Sequence, residues 1–288
     1  MNFFKSLFGG KVEKPEDKKK ASEDKDFDVL KYDGIRALKS GQAEYAIKCF
    51  EHALQLKDDL EIHEQLSTAY MHTGNLPQAY EQLRILSEAE PDNIKILLRM
   101  ANVAYMMEDY GAMAGACEKA MLIDKDNAEV MYLYARSCIG HGDSTNAIAM
   151  LTKAIMLKPN YMPAYLLRGE TLLKEGNAED AAEDADFLLG KADGEEEVLM
   201  LKARVERLRG DDKKALEYYD KVIDCNPFSL DAYKERGALK EKLGDAEGSK
   251  EDLSMAEELA SQSAGGEGKV EKDVKNAYKG NDPFGVFS

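Results

Sequence analysis

The chain has 288 residues, of which 33% are charged, and a formal net charge of -16. Duplex nucleic acid is a disfavoured ligand, because duplexes are bound through cationic surfaces. The four cysteines, Cys49, Cys117, Cys138 and Cys225, lie far apart without the spacings of metal or redox sites. We interpret them as reduced packing residues, and we expect a cytoplasmic protein.

A short amphipathic N-terminus and a charged linker are predicted over residues 1–26. Phe3, Phe4, Leu7 and Phe8 would share one side of a short helix. One interpretation is a weak attachment to a membrane surface, which would make the protein peripheral. The other is a frayed terminus or a helix folded back over the first repeat. We expect neither a secretory signal nor a bilayer-spanning stretch.

From residue 27 onward, one turn residue recurs every 33 or 34 residues. The recurring residues are Gly41, Gly74, Gly142, Gly176, Gly210 and Gly244, with Glu108 standing where the one missing glycine belongs. An Asp or Asn follows the turn in most units, where its side chain can cap the start of a helix. A fixed period of this length predicts a solenoid of helical hairpins.

Small residues recur at two further places in each unit. Seven residues before the turn, every unit has Gly, Ala or Ser. Five residues past the turn, six of the seven units have Ala or Ser, and the exception is Met113. Small side chains at matching places let two helices approach closely. Pro91, Pro159 and Pro227 each stand 17 residues past their glycine, where we expect proline to stop the second helix.

Together, these positions make the chain resemble the tetratricopeptide repeat family. The resemblance implies an all-α, right-handed superhelical solenoid of about seven hairpins. The seven units are predicted at residues 27–60, 61–93, 94–127, 128–161, 162–195, 196–229 and 230–263. Residues 264–288 are predicted to form a capping helix and a flexible tail, because Val270, Val274, Ala277 and Tyr278 fall on one helical face.

The resemblance also implies a working surface, because the first helices of successive hairpins line a concave groove in this family. The predicted groove residues are Lys31, Gln65, Lys95, Arg99, Asn102, Tyr105, Tyr132, Arg136, Leu166, Arg204 and Arg207. Arginine can grip a carboxylate and stack on aromatic rings, so we expect a protein or peptide partner with acidic and apolar side chains. A Leu or Met stripe along these helices would equally suit core packing.

A more specific alternative is a carboxylate clamp. Some tetratricopeptide proteins use such a clamp to hold the acidic C-terminal tails of cytosolic heat-shock chaperones. The matching places here hold Lys31 and Ile35, then Gln65, then Lys95 and Arg99. Ile35 replaces an asparagine whose amide would bond the terminal carboxylate, so the clamp is degenerate. This alternative predicts a co-chaperone-like function, whereas the N-terminal segment would predict a membrane-surface adaptor.

No arrangement of residues points to chemistry. The four histidines lack metal-ligand pairing, and no nucleophile with a base and an orienting acid can be proposed. We therefore expect no catalytic residues, no cofactor, no metal and no enzymatic activity.

Overall fold

The computed structural model describes residues 15–192 and 194–265, with side chains for residues 22–192 and 194–262. Within these residues the chain forms fourteen α-helices and no strand, which confirms the all-α prediction. None of the described helices has both the length and the apolar character needed to span a bilayer. The Phe3–Phe8 segment and the predicted capping helix and tail lie outside the described residues.

The helices fall into two compact units, Met1–Lys125 and Asp126–Ser288. Unit 1 contains α1 (Pro15–Lys39), α2 (Ala43–Leu56), α3 (Leu60–His72), α4 (Leu76–Ala89), α5 (Ile94–Met106) and α6 (Tyr110–Ile123). Unit 2 contains α7 (Ala128–Gly140), α8 (Ser144–Leu157), α9 (Met162–Lys174), α10 (Ala178–Leu189), α11 (Glu196–Arg209), α12 (Asp212–Cys225), α13 (Leu230–Lys242) and α14 (Ala246–Gly265). Inside each unit, every helix packs against its neighbour in sequence.

The hairpin turns depend on a left-handed backbone. Gly142 has φ 77°, and the corresponding glycines of five other hairpins have similar values. No atom lies within 4 Å of the place where a Cβ on Gly142 would stand, so backbone conformation rather than space favours glycine there. Glu108 takes the same turn with φ 56°, which confirms that it occupies the place of the missing glycine.

The predicted helix signals are largely in place. Asp109, Asp143, Asn177 and Asp211 are N-caps whose side chains accept a backbone N–H in the first turn. The exception is Asn75, an N-cap whose amide donates instead to the Thr73 hydroxyl, 2.9 Å away. The three predicted proline stops are also correct, because α4, α8 and α12 each end two residues before their proline.

The small residues allow the close helix approach that their spacing predicted. A Cβ added to Gly34 would lie 2.5 Å from the Phe50 ring, and one added to Gly169 would lie 2.9 Å from Leu201. Met113, the exception five residues past the turn, is nevertheless fully buried. The position five residues past the turn is therefore buried in this unit as well, although its side chain is larger.

Two predictions need correction. Cys49, Cys117 and Cys138 are buried, but Cys225 is exposed at the end of α12, so it is not a packing residue. Residues 15–26, predicted as a charged linker, form the first half of α1. They include good helix formers such as lysine, glutamate and alanine, and they begin with Pro15 at a position where helices tolerate proline.

Candidate functional site

The predicted groove residues are divided between the two units, always on first helices of hairpins. Unit 1 has Lys31 on α1, Gln65 on α3, and Lys95, Arg99, Asn102 and Tyr105 on α5. Unit 2 has Tyr132 and Arg136 on α7, Leu166 on α9, and Arg204 and Arg207 on α11.

Lys31 is held by acidic groups of its own chain. Its ammonium lies 2.6 Å from Glu61 and 3.2 Å from Asp59, and its side chain is only 12% exposed. Asp59 is also the N-cap of α3, where it accepts the backbone N–H of Ile62. Burial would lower the pKa of Lys31, but the two carboxylates outweigh burial and raise it. A ligand carboxylate would therefore compete with two built-in acids at this lysine.

Arg99 is occupied in a similar way. Its guanidinium donates to the Ser67 hydroxyl at 2.7 Å and to the Thr68 hydroxyl at 3.1 Å, both on α3. It also lies 3.5 Å from a Glu64 oxygen. Lys95, by contrast, is exposed. Two of the three cations of the degenerate clamp are thus engaged in contacts between helices, which disfavours an open clamp in this conformation.

The remaining unit 1 residues differ in exposure. Gln65 and Asn102 are half-buried. Tyr105 is 38% exposed and packs edge-on against Tyr110, with ring centroids 6.4 Å apart.

In unit 2, Tyr132 and Arg136 contact each other, and Leu166 packs against the core. The Arg136 guanidinium stands over the Tyr132 ring at 5.7 Å, and Tyr132 packs against Tyr161 at 5.3 Å. Leu166 is partly buried and packs against the core around Leu172. Leu133, Met200 and Leu201, on first helices of the same unit, are buried and therefore pack in the core.

A pocket of ≈ 610 Å³ lies on α9 and α11. It is lined by Glu170, Leu173, Lys174, Arg204, Arg207 and Leu208. The lining combines three cations, one carboxylate and two leucines, so it offers both charge and apolar surface. We call it the α9–α11 pocket.

Glu235 on α13 orients the pocket's arginines. Its carboxylate accepts Arg204 Nε at 2.9 Å and Arg204 Nη2 at 2.7 Å, and it lies 3.3 Å from Arg207. The Tyr219 hydroxyl donates to the same carboxylate at 2.8 Å. Burial would raise the pKa of Glu235, but Arg204 and Tyr219 outweigh burial and lower it. Arg204 is thereby fixed, whereas Arg207 remains 42% exposed.

Glu170 is the one carboxylate in the pocket lining. Burial raises the pKa of its carboxyl group, and the positive charges of Arg204 and Lys174 only partly oppose that effect. The lining has three cations and one carboxylate and is therefore net positive. A ligand carboxylate is favoured there, although the protein as a whole is acidic.

The missed pocket residues follow the same repeat register as the predicted ones. Glu170 and Arg204 stand six residues before their turn glycines, Leu173 and Arg207 three before, and Lys174 and Leu208 two before. Four lining residues were not among the predicted groove residues, namely Glu170, Leu173, Lys174 and Leu208. Glu235, nine residues before Gly244, could have been found only by its charge opposite the arginines.

Comparisons with known proteins match this architecture. Two family profiles described as tetratricopeptide repeats match residues 128–161 and 166–229, and the second includes the whole α9–α11 pocket. DnaJ homolog subfamily C member 3 of Homo sapiens is 24% identical over 216 residues, which are 70% of this chain and 36% of the relative. The chain therefore spans about a third of that relative's length.

Among solved structures, a tetratricopeptide repeat protein from Parabacteroides merdae aligns with TM-score 0.68 and 15% identity, over 82% of this chain and 93% of that one. YrrB, described as a TPR protein with an unusual peptide-binding site, aligns with TM-score 0.51 and 16% identity, over 62% of this chain and 91% of that one. At these identities the structures support the fold alone. The repeat register, the helical hairpins and the matching profiles together establish that the chain is a tetratricopeptide repeat protein.

Proposed function

We propose that the chain is a non-catalytic interaction scaffold whose α9–α11 pocket binds a segment of a partner protein that carries an acidic group beside an apolar side chain. The tetratricopeptide fold is that of a protein-interaction scaffold. The observation that supports the pocket as the site is its lining, which concentrates Lys174, Arg204 and Arg207 in a protein of net charge -16.

Arg207 is the residue available to a ligand. Among the described residues, its guanidinium pairs with Glu235 alone, at 3.3 Å, and 42% of its side chain is exposed. A ligand carboxylate could take two parallel hydrogen bonds from this planar group. Arg204 contributes its charge from a fixed position, because Glu235 already holds it through two hydrogen bonds.

The apolar part of the ligand would contact Leu173 and Leu208. Leu208 is 46% exposed and therefore has apolar surface to bury on binding. Burial of apolar area supplies affinity, while the prearranged Arg204 lowers the cost of ordering the site. The peptide-binding site named in the description of YrrB belongs to that protein, and it supports the proposal only as an example of peptide binding on this fold.

A peptide-binding assay tests the proposal. Twelve-residue peptides that place Asp or Glu next to Leu or Phe are compared by fluorescence anisotropy with the same peptides carrying Asn or Gln. The acidic set is expected to bind, and Arg207→Glu is expected to weaken binding at least about tenfold, the order of one charged hydrogen bond.

Arg209→Glu is the matched control, because Arg209 lies two residues away and pairs with Glu179 outside the pocket lining. Circular dichroism must show that both variants fold. Equal binding of acidic and neutral peptides, or equal losses in the two variants, would overturn the pocket as the site.

A further inference from the structure

The first hairpin has three large side chains with exposed apolar surface. On α1, Val29 is 51% exposed and Tyr32 is 63% exposed, and on α2 Tyr45 is 53% exposed. Val29 and Tyr32 are three residues apart and so share a helix face. Tyr45 belongs to α2, which packs against α1. We call Val29, Tyr32 and Tyr45 the first-hairpin patch.

The repeat register shows that part of this patch occupies a stacking position. Val29 stands twelve residues before its turn glycine. The six later units have Ile62, Ile96, Val130, Ala164, Val198 and Ala232 there, and all six are buried. An apolar residue is thus used at this place throughout the repeats, and only in the first unit is it left uncovered by the described residues.

Tyr32 stands nine residues before the turn, a register that is not apolar throughout, since the later units have Gln65, Arg99, Leu133, Leu167, Leu201 and Glu235 there. Arg99 contacts Ser67 and Glu235 contacts Arg204, in each case on the first helix of the preceding hairpin. In unit 2 the corresponding residue Leu201 is 1% exposed, and it lies so close to α9 that a Cβ on Gly169 would approach it to 2.9 Å. Residues at this register therefore pack on the first helix of the preceding hairpin. Among the described residues, no hairpin precedes α1, so Tyr32 lacks the element that would cover it.

We propose that residues 3–8 of the same chain cover the first-hairpin patch. Phe3, Phe4, Leu7 and Phe8 would lie on one side of a short helix and supply the apolar surface that the patch lacks. The only charged side chains of residues 1–11 are Lys5 and Lys11. Exposed charges of both signs lie near the patch in sequence, namely Asp26, Asp28 and Glu44 and the basic Lys25, Arg36 and Lys48.

The connection is long enough for this return. Between Pro15 and Val29 the helix rises roughly 21 Å at 1.5 Å per residue. The six residues 9–14 can span up to about 20 Å when extended. Residues 3–8 can therefore run back alongside α1 as far as the patch.

The size of the patch favours a short segment over a second copy of the protein. Three half-exposed side chains of this kind present on the order of 300 Å² of surface. A specific interface between two proteins buries about 800 Å² on each partner. A segment tethered by six residues also acts at an effective concentration in the millimolar range, so it needs little area to bind.

Hydrogen exchange read by mass spectrometry on the full chain tests the proposal. The wild type is compared with a segment variant, Phe3→Ser, Phe4→Ser, Leu7→Ser and Phe8→Ser, and with a patch variant, Val29→Ser, Tyr32→Ser and Tyr45→Ser. Amides of residues 3–8 are expected to exchange at least tenfold more slowly in the wild type than in the patch variant. Amides of residues 27–39 are expected to lose protection in the segment variant.

Combining the two variants distinguishes docking from a general loss of stability. If the segment and patch contact each other, the combined variant should exchange no faster over residues 27–39 than the patch variant alone. Additive losses would overturn the proposal, as would wild-type exchange of residues 3–8 at the rate of an unstructured peptide.

Two further conditions identify competing occupants. Protection of residues 3–8 that appears only with phosphatidylcholine–phosphatidylserine vesicles would assign the segment to a membrane surface. Protection that rises with protein concentration, together with a dimer mass in light scattering, would assign the patch to a second copy. Either result would overturn docking within one chain.

Discussion

Removing one partner of the buried ion pair between Arg168 of α9 and Asp184 of α10 is expected to destabilise unit 2 strongly. Arg168 Nε lies 2.9 Å from Asp184 Oδ2, and Arg168 Nη2 lies 2.6 Å from Asp184 Oδ1. The Asp184 side chain is 1% exposed. The third arm of the guanidinium donates to the Thr152 hydroxyl of α8 at 2.9 Å, so Arg168 connects three helices.

Arg168→Met removes the charge but keeps most of the apolar stem. Asp184 would then remain buried without its partner, which typically costs about 3–5 kcal/mol. The matched control is Arg209→Met, because Arg209 also makes two contacts with one carboxylate, on Glu179, but that carboxylate is 79% exposed. An exposed pair is worth about 0.2–1 kcal/mol. Arg168→Met should therefore lower the free energy of unfolding several times more than Arg209→Met does.

Urea denaturation followed by circular dichroism measures the difference. With a slope of about 3 kcal/mol/M, Arg168→Met should lower the midpoint by roughly 1 M. The double variant Arg168→Met with Asp184→Leu should recover most of the loss, because an apolar pair of similar volume replaces the ions. An Arg168→Met midpoint no lower than that of Arg209→Met would refute the burial argument.

The pH dependence provides a second check on the cause. Burial already raises the pKa of Asp184, against the opposing effect of Arg168. Without Arg168 that pKa should rise further. A carboxyl whose pKa is raised by folding contributes stability below its unfolded pKa and loses it as the pH rises through the folded value. The loss in free energy of unfolding of Arg168→Met, relative to the wild type, should therefore be small near pH 4 and complete at pH 7. A loss that does not depend on pH would indicate lost packing instead.

Three further predictions concern the turns, the charges and the C-terminus. Gly142→Ala should lower the free energy of unfolding by about 1 kcal/mol, because φ is positive there, whereas Glu108→Ala should change it little; equal costs in urea titrations would contradict this. Burial would raise the pKa of Asp252, but hydrogen bonds from Arg236 and a neighbouring lysine outweigh it and lower that pKa. Its stabilisation is therefore complete above the unfolded pKa of about 3.9 and is lost as the pH falls. Asp252→Asn should accordingly show a shallower loss of stability between about pH 4 and pH 2 than the wild type, and parallel curves would contradict this. Finally, removing residues 264–288 should lower the melting temperature and increase binding of a hydrophobic dye, because the sequence predicts a capping helix there; an unchanged melting curve would count against the cap.

Much of the fold could be predicted because repeat positions are local and recur. The register predicts a turn at Glu108 although the residue is not glycine, and its φ of 56° confirms that turn. The predicted site was harder to obtain. The helices were correct, but the sequence could not reveal that Lys31 is occupied by Asp59 and Glu61, because those contacts join residues that are 28 and 30 positions apart.

By itself the sequence determined the hairpins, their turns and the stops at the three prolines, because these depend on backbone conformation and on neighbours within one repeat. Only the tertiary structure decided which cations are available to a ligand. Arg204 and Arg207 have the same charge and lie on the same helix. Glu235 accepts two hydrogen bonds from Arg204, whereas the Arg207 side chain remains 42% exposed. Burial and ion pairing depend on which side chains of other helices lie nearby in the folded chain. The repeat period of the sequence therefore does not predict them.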